Sequence, residues 1–189
     1  DAVSLWQANL EAVVFGDDVL DELQEQHPTG ASPLRVHLHV DSGMGRLGCA
    51  PDAFPALLQR IADHPSFALA GLMTHLACAD ERESKKTQDQ LRVFDRLTAA
   101  VTIEGARCHA ANSAAIAAHE HALYDAVRPG LALYGIEAVP TQPLGLEPVM
   151  SWHTQLSHLH TVSAGQSVGY GARWTASKAS RIGILPVGY

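Results

Sequence analysis

Cysteine is scarce in this 189-residue chain, and its absence from paired positions removes two options at once. Cys49, Cys78 and Cys108 are odd in number, far apart and form no CxxC, which argues against a disulfide framework and a cysteine-built zinc site. A reducing, cytosolic setting fits that usage best. Positive charge is short too: 13 Lys and Arg against 20 Asp and Glu leave a net charge of −7. A nucleic-acid groove needs a basic footprint that this balance does not supply. No apolar run approaches the ~20 residues of a membrane span, and Asp1-Ala2-Val3-Ser4 has no basic n-region of a signal peptide. Neither an internal repeat nor a low-complexity tract occurs. What remains is a chain of 47% apolar residues, able to bury a real core as one large or two small domains.

The pattern that is present alternates strand and helix. Residues 11–15 form a short strand, and Asp17-Asp18 then opens a helix carrying Val19, Leu20 and Leu23. Residues 34–40 alternate apolar and polar, which puts His37 and His39 on one strand face. Phe54, Leu57, Leu58 and Ile61 follow at i, i+3, i+4, i+7, one side of a helix. Residues 67–76 are nearly all apolar, as in a parallel strand covered on both sides. A solvated charge run over residues 80–86 leads into a helix with Leu91, Phe94, Leu97 and Val101 inward. Strands at residues 106–110 and 126–128 close the series. A βαβα order implies an α/β fold with a parallel sheet, open or closed into a barrel.

The character changes near Pro140. Residues 1–140 form the α/β part, residues 141–148 a Pro- and Gly-rich linker, and residues 149–189 the start of a β-rich domain. Strand-like stretches at 153–162 and 180–187 flank a glycine-marked turn with no helix between them, and Trp152 and Trp174 are assigned to packing there. The chain stops at Gly188-Tyr189 without a closing element, as expected of a piece of something longer.

Two stretches carry chemistry. His109-Ala110-Ala111-Asn112-Ser113-Ala114-Ala115 and Val127-Arg128-Pro129-Gly130-Leu131-Ala132-Leu133-Tyr134-Gly135 each read as a strand end running into a helical start. Helix starts leave amides without partners and carry the positive end of the dipole, so two of them together make a cup for a phosphate. Taken singly, each is also an ordinary cap or turn. Arg128, held between the two starts, favours the cup.

Further motifs then match a family. Val36-His37-Leu38-His39-Val40-Asp41-Ser42-Gly43-Met44-Gly45-Arg46-Leu47-Gly48, Gly71-Leu72-Met73-Thr74-His75-Leu76-Ala77-Cys78-Ala79-Asp80, the two stretches above, Val168-Gly169-Tyr170-Gly171-Ala172 and Leu185-Pro186-Val187-Gly188-Tyr189 resemble segments of alanine racemases, in the same order. The resemblance implies a partial (β/α)8 TIM barrel followed by the start of a β-rich domain. It implies pyridoxal 5′-phosphate as cofactor, alanine as substrate and D-alanine for peptidoglycan as product. A cytoplasmic homodimer with active sites shared between subunits goes with it. Ser113, Asn112 and the backbone of Gly130 and Leu131 would hold the phosphate. Arg128 would face the pyridine nitrogen, where an arginine disfavours protonation and weakens the ring as an electron sink. Arg46 would bond the phenolic oxygen of the ring and help hold substrate, and Tyr189 would stand at the substrate entrance. Tyr170 would be one of two bases, working in the partner's site, with His75 linking it to Arg128. A tyrosine of pKa ~10 needs such a chain of charge and hydrogen bonds to act as a base.

Two departures stand out. The family's second base is a lysine that also anchors the cofactor, and none of Lys85, Lys86 and Lys178 matches it, so this chain alone is expected to be inactive. His39 occupies a position where many relatives carry a carbamylated lysine that pins the arginine matching Arg46. A bound anion such as chloride between His39 and Arg46, or failing that a direct hydrogen bond, would take its place. Outside the motifs, His75 reads as a buried structural histidine and Tyr170 as a packing aromatic. Two rival readings come from other classes. One is a metal-dependent barrel hydrolase using His37, His39 and His75; the other is a pyridoxal-phosphate-binding module without turnover.

Overall fold

The computed structural model describes residues 2–99, 101 and 105–188. It divides into two compact units, Asp1–Val149 and Met150–Tyr189. The first alternates strand and helix: Val3–Gln7 (α1), Ala12–Val14 (β1), Asp17–Glu25 (α2), Leu34–His39 (β2), Phe54–Asp63 (α3), Phe67–Met73 (β3), Lys85–Thr98 (α4), Arg107–His109 (β4) and Ser113–Ala118 (α5). Only α1 has no counterpart in the sequence pattern, because five residues are too few to display a helical period.

All neighbouring strands of the sheet are parallel, in the order β1-β2-β3-β4. Doubly wound sheets reverse their strand order at a switch point, whereas barrels do not. With right-handed crossovers, this sequential order puts α2, α3 and α4 on one face of the sheet. The result is an arc of a TIM barrel, helices outside. Val36, Leu38 and Val40 pack on that outer side with Leu20, Phe54, Ile61 and Leu72 in one buried cluster. Burying each such side chain contributes roughly 1.5–3 kcal/mol.

The inner face is different in kind. The register aligns His37 with Gly71 and Gly71 with Arg107, then His39 with Met73 and Met73 with His109. Cross-strand partners share a face, so histidine and arginine line what would be the barrel interior. His37 and His39 do share one face, as their alternation implies.

Helix starts follow local rules. Ser84 is buried at the N-cap of α4 and its hydroxyl accepts from the Thr87 amide, while the rest of the 80–86 charge run is exposed. Several boundaries differ from expectation. The strand at 67–76 ends at Met73. The strand at 126–128 is reduced to one parallel bridge, His109 to Ala126, because Pro129 has no N–H to continue the ladder. In the second unit, pairing starts at His158 rather than 153: His158–Val162 (β5) pairs antiparallel with Ser180–Ile184 (β8).

Between those strands, Ser167–Val168 (β6) and Trp174–Thr175 (β7) form a short hairpin whose tip is a 3-10 turn, Tyr170–Ala172. The packing roles given to the two tryptophans do not hold. Trp152 is 76% and Trp174 47% exposed, since this unit buries little besides Val162 and Ala176.

Candidate active site

The ends of β3 and β4, and the segments after them, enclose a cleft of about 440 Å³. His75, Asp80, Asn112, Ser113, Arg128 and Gly130 are among its lining residues. Asn112 caps α5, its side-chain oxygen accepting from the Ala115 amide at 2.9 Å. Gly130 opens a 3-10 turn, Leu131–Tyr134. The two starts are joined by one bond, from the Ala132 amide to the buried Ser113 hydroxyl at 3.1 Å. That bond leaves the hydroxyl proton of Ser113 free to donate. The amides of Ser113, Ala114, Gly130 and Leu131, all in the lining, donate to no group among the described residues. A Cβ at Gly130 would meet nothing within 4 Å, so the backbone there faces open cleft.

Arg128 is held by five acceptors. Its Nη1 donates to Nδ1 of His109 at 2.5 Å and to the His109 carbonyl at 3.0 Å. Its Nη2 faces the carbonyls of Thr74 at 2.7 Å and Ala110 at 3.1 Å, and Nδ1 of His75 at 3.4 Å. The Nε–H of Arg128 donates to nothing among the described residues. A guanidinium so fixed is a rigid donor aimed by the ends of two strands, β3 and β4.

Burial and the charge around it push the nearby imidazoles toward the neutral form. Burial, then Arg128, then His37 lower the pKa of His109 to about 4. Burial, Arg128 and Arg46 lower that of His75 as well, and burial leads the same effect on His39.

Behind this wall His37 reaches over β3 to His109. Its Nδ1 lies 2.8 Å from Nε2 of His109, and its Nε2 lies 2.7 Å from the Glu11 carboxylate. Both ring nitrogens of His37 and of His109 are therefore occupied by hydrogen bonds. Among the described residues no three His, Cys, Asp or Glu side chains converge as metal ligands. The hydrolase reading of His37, His39 and His75 has no cluster to rest on.

The structure thus brings His75, Asn112, Ser113, Arg128, Gly130 and Leu131 to one cleft. Arg46 lies on the loop after β2, exposed. Asp41 folds that loop by accepting from the amides of Gly43, Met44 and Gly45. Burial opposes ionisation of Asp41, but those amides together keep its pKa below the usual value. No direct hydrogen bond joins Arg46 to His39. Tyr170 belongs to the second unit and is 91% exposed at the hairpin tip, so it is not the packing aromatic that its turn alone would suggest. The expectation for Tyr189 falls outside the described residues.

Sequence reasoning missed Glu11 and Gln90. Gln90 is fully buried; its amide accepts from Ala77 N–H and donates to the His75 carbonyl, both at 2.9 Å, tying the loop after β3 in place. A polar residue inside a helix pattern reads as solvent-facing, so no local signal marked it.

Fold and cleft together define an α/β-barrel protein with a cleft at the strand ends lined by unpaired amides. Two family models cover the chain: alanine racemase N-terminal domain over residues 1–138 and alanine racemase C-terminal domain over residues 149–189. An alanine racemase of Sorangium cellulosum is 42% identical over 157 residues, 82% of this chain and 41% of that protein. The biosynthetic alanine racemase of Pseudomonas aeruginosa superposes with a TM-score of 0.86 at 37% identity, over 100% of this chain and 53% of that one. The Bacillus anthracis alanine racemase with bound L-Ala-P gives 0.81 at 29% identity, over 98% of this chain and 50% of that one. The chain belongs to the alanine racemase family. It spans about half the length of the curated relatives it matches.

Proposed function

We propose that the protein carrying this chain interconverts L- and D-alanine with pyridoxal 5′-phosphate as cofactor. One observation carries the reading: four unpaired amides and a free serine proton converge on a cleft beside an arginine whose Nε–H alone lacks an acceptor. The phosphate fits the amides of Ser113, Ala114, Gly130 and Leu131 and the Ser113 hydroxyl. The Nε–H of Arg128 is the donor left for the ring nitrogen. When bound, the cofactor withdraws electrons and acidifies the Cα–H of the amino acid attached to it.

The chain's own groups do the rest. Arg128 keeps a positive charge against the ring nitrogen, and so disfavours a proton there. His75 accepts from Arg128 through Nδ1, so its Nε2 carries a proton and faces away as a donor. Tyr170, on an exposed turn, is suited to reach a second subunit of a homodimer and move the Cα proton there, with Arg46 holding ring and substrate. Family membership supports the second base being a lysine outside the motifs of this chain. Family membership is what supports a cytoplasmic supply of D-alanine for peptidoglycan as the role of the whole protein.

The full-length protein tests this. Its visible absorption should show the cofactor, and it should racemise either enantiomer of alanine. Ser113→Ala should weaken cofactor binding by about 10- to 100-fold, the size of one lost hydrogen bond to a charged group. A colourless protein without racemisation would end the proposal.

A further inference from the structure

Glu11, His37, His109 and Arg128 form one unbroken chain of hydrogen bonds along the inner face of the sheet, from Glu11 Oε2 through both imidazoles to Arg128 Nη1. Neither end has any choice of role. A guanidinium has only donors, and an ionised carboxylate has only acceptors. Working from Arg128, Nδ1 of His109 must be bare, so its proton sits on Nε2 and is donated to His37. Nδ1 of His37 must then be bare, which puts its proton on Nε2, facing Glu11. Working back from Glu11 reaches the same tautomers. A second proton on either ring would set two N–H groups face to face.

The surroundings keep both ends in the required forms. Hydrogen bonds from His37 and then Arg35 hold the Glu11 carboxyl down to about 2. Arg107 adds a longer contact at 3.3 Å. His109 faces Arg128, His37, Arg107 and His39, all of which oppose its protonation along with burial.

We infer that Glu11, through His37 and His109, sets the polarity of a relay that positions Arg128, leaving only its Nε–H for the cofactor. The inference rests on the proposed function for its purpose, but its geometry does not. Without an acceptor-only group at position 11, only Arg128 opposes the reversed tautomer of His109 and, through it, that of His37. In the wrong one, Nδ1–H of His109 points at Nη1–H of Arg128 and pushes the guanidinium out of line. Glu11, His37 and His109 are thus positioning residues, with Arg128 as the group they position.

Neutron diffraction from perdeuterated crystals of the full-length holoenzyme reads the relay directly. Deuterium is expected on Nε2 of both His37 and His109, and none on either Nδ1. Deuterium on either Nδ1 overturns the inference. In solution, Glu11→Gln should lower kcat about tenfold in both directions and shift KM for alanine by less than about threefold. Arg35→Gln, which removes a neighbour of Glu11 but no link of the relay, should leave both constants unchanged. Wild-type kinetics in Glu11→Gln also overturns the inference. If Glu11→Gln does not fold, the wild-type neutron map decides alone. If the map shows the expected protons but the wild type does not racemise alanine, the relay stands and the functional reading falls.

Discussion

Replacing Gly71 by alanine probes the inner face of the sheet at its tightest point. A Cβ there would stand 2.5 Å from Nδ1 of His37 and 2.6 Å from the Arg107 carbonyl. β3 is hydrogen-bonded to β2 on one side and β4 on the other, so the backbone cannot retreat. The His37 ring can move only by leaving His109. Overpacking at a closed site costs about 1–3 kcal/mol, and the broken imidazole pair about 1 kcal/mol more. A total near 3 kcal/mol lowers the folded-to-unfolded ratio by about 10²-fold. For a cooperative unit of about 150–250 residues it should lower Tm by about 6–12 °C, and by less in a longer one. The assay is a thermal scan of the full-length variant at fixed protein and cofactor concentration, because cofactor binding itself raises Tm. Gly130→Ala is the comparison: its φ is −89° and its Cβ meets nothing, so stability should change by less than about 0.5 kcal/mol. That variant should instead lose cofactor affinity. If Gly71→Ala melts with the wild type, His37 does not pass over Gly71 as described.

Tyr170→Phe should slow both directions of turnover by about 10²-fold or more while the cofactor stays bound; wild-type rates would make Tyr170 a bystander. Activity of the full-length enzyme should respond to chloride in chloride-free buffer at constant ionic strength and ignore carbonate, and His39→Lys should bring carbonate dependence back. No response to chloride would remove the bridging anion. Acid stability should follow Glu11 and His109. Folding lowers the pKa of Glu11 from 4.5 to about 2 and that of His109 from 6.5 to about 4, so both contribute fully above about pH 6.5 and lose their contributions as pH falls. In Glu11→Gln the part of that loss below about pH 4.5 should flatten in a urea titration. The 189-residue chain on its own should bind cofactor only weakly and show no racemisation, which an activity assay on the purified chain would refute.

The residues alone determined a good deal. Alternation at residues 34–40 and the helical period from Phe54 to Ile61 reveal the parallel α/β order, because periodicity is local and follows burial. The Asn112-Ser113 cap and the Pro129-Gly130 turn mark the two amide-bearing starts for the same reason: orphan amides are a property of the chain's own turns. Whether the sheet arcs toward a barrel was decided by strand order, which no window of sequence contains. The inner face was decided by register. His37 lies 72 residues from His109, Glu11 lies 26 from His37, and only the pairing of β2, β3 and β4 across Gly71 lines them up with Arg128. Taken on its own strand, His37 also fits a metal-ligand reading with His39 and His75. Hydrogen-bond partners on both nitrogens, and with them the direction of every proton in the relay, exist only once distant strands are side by side.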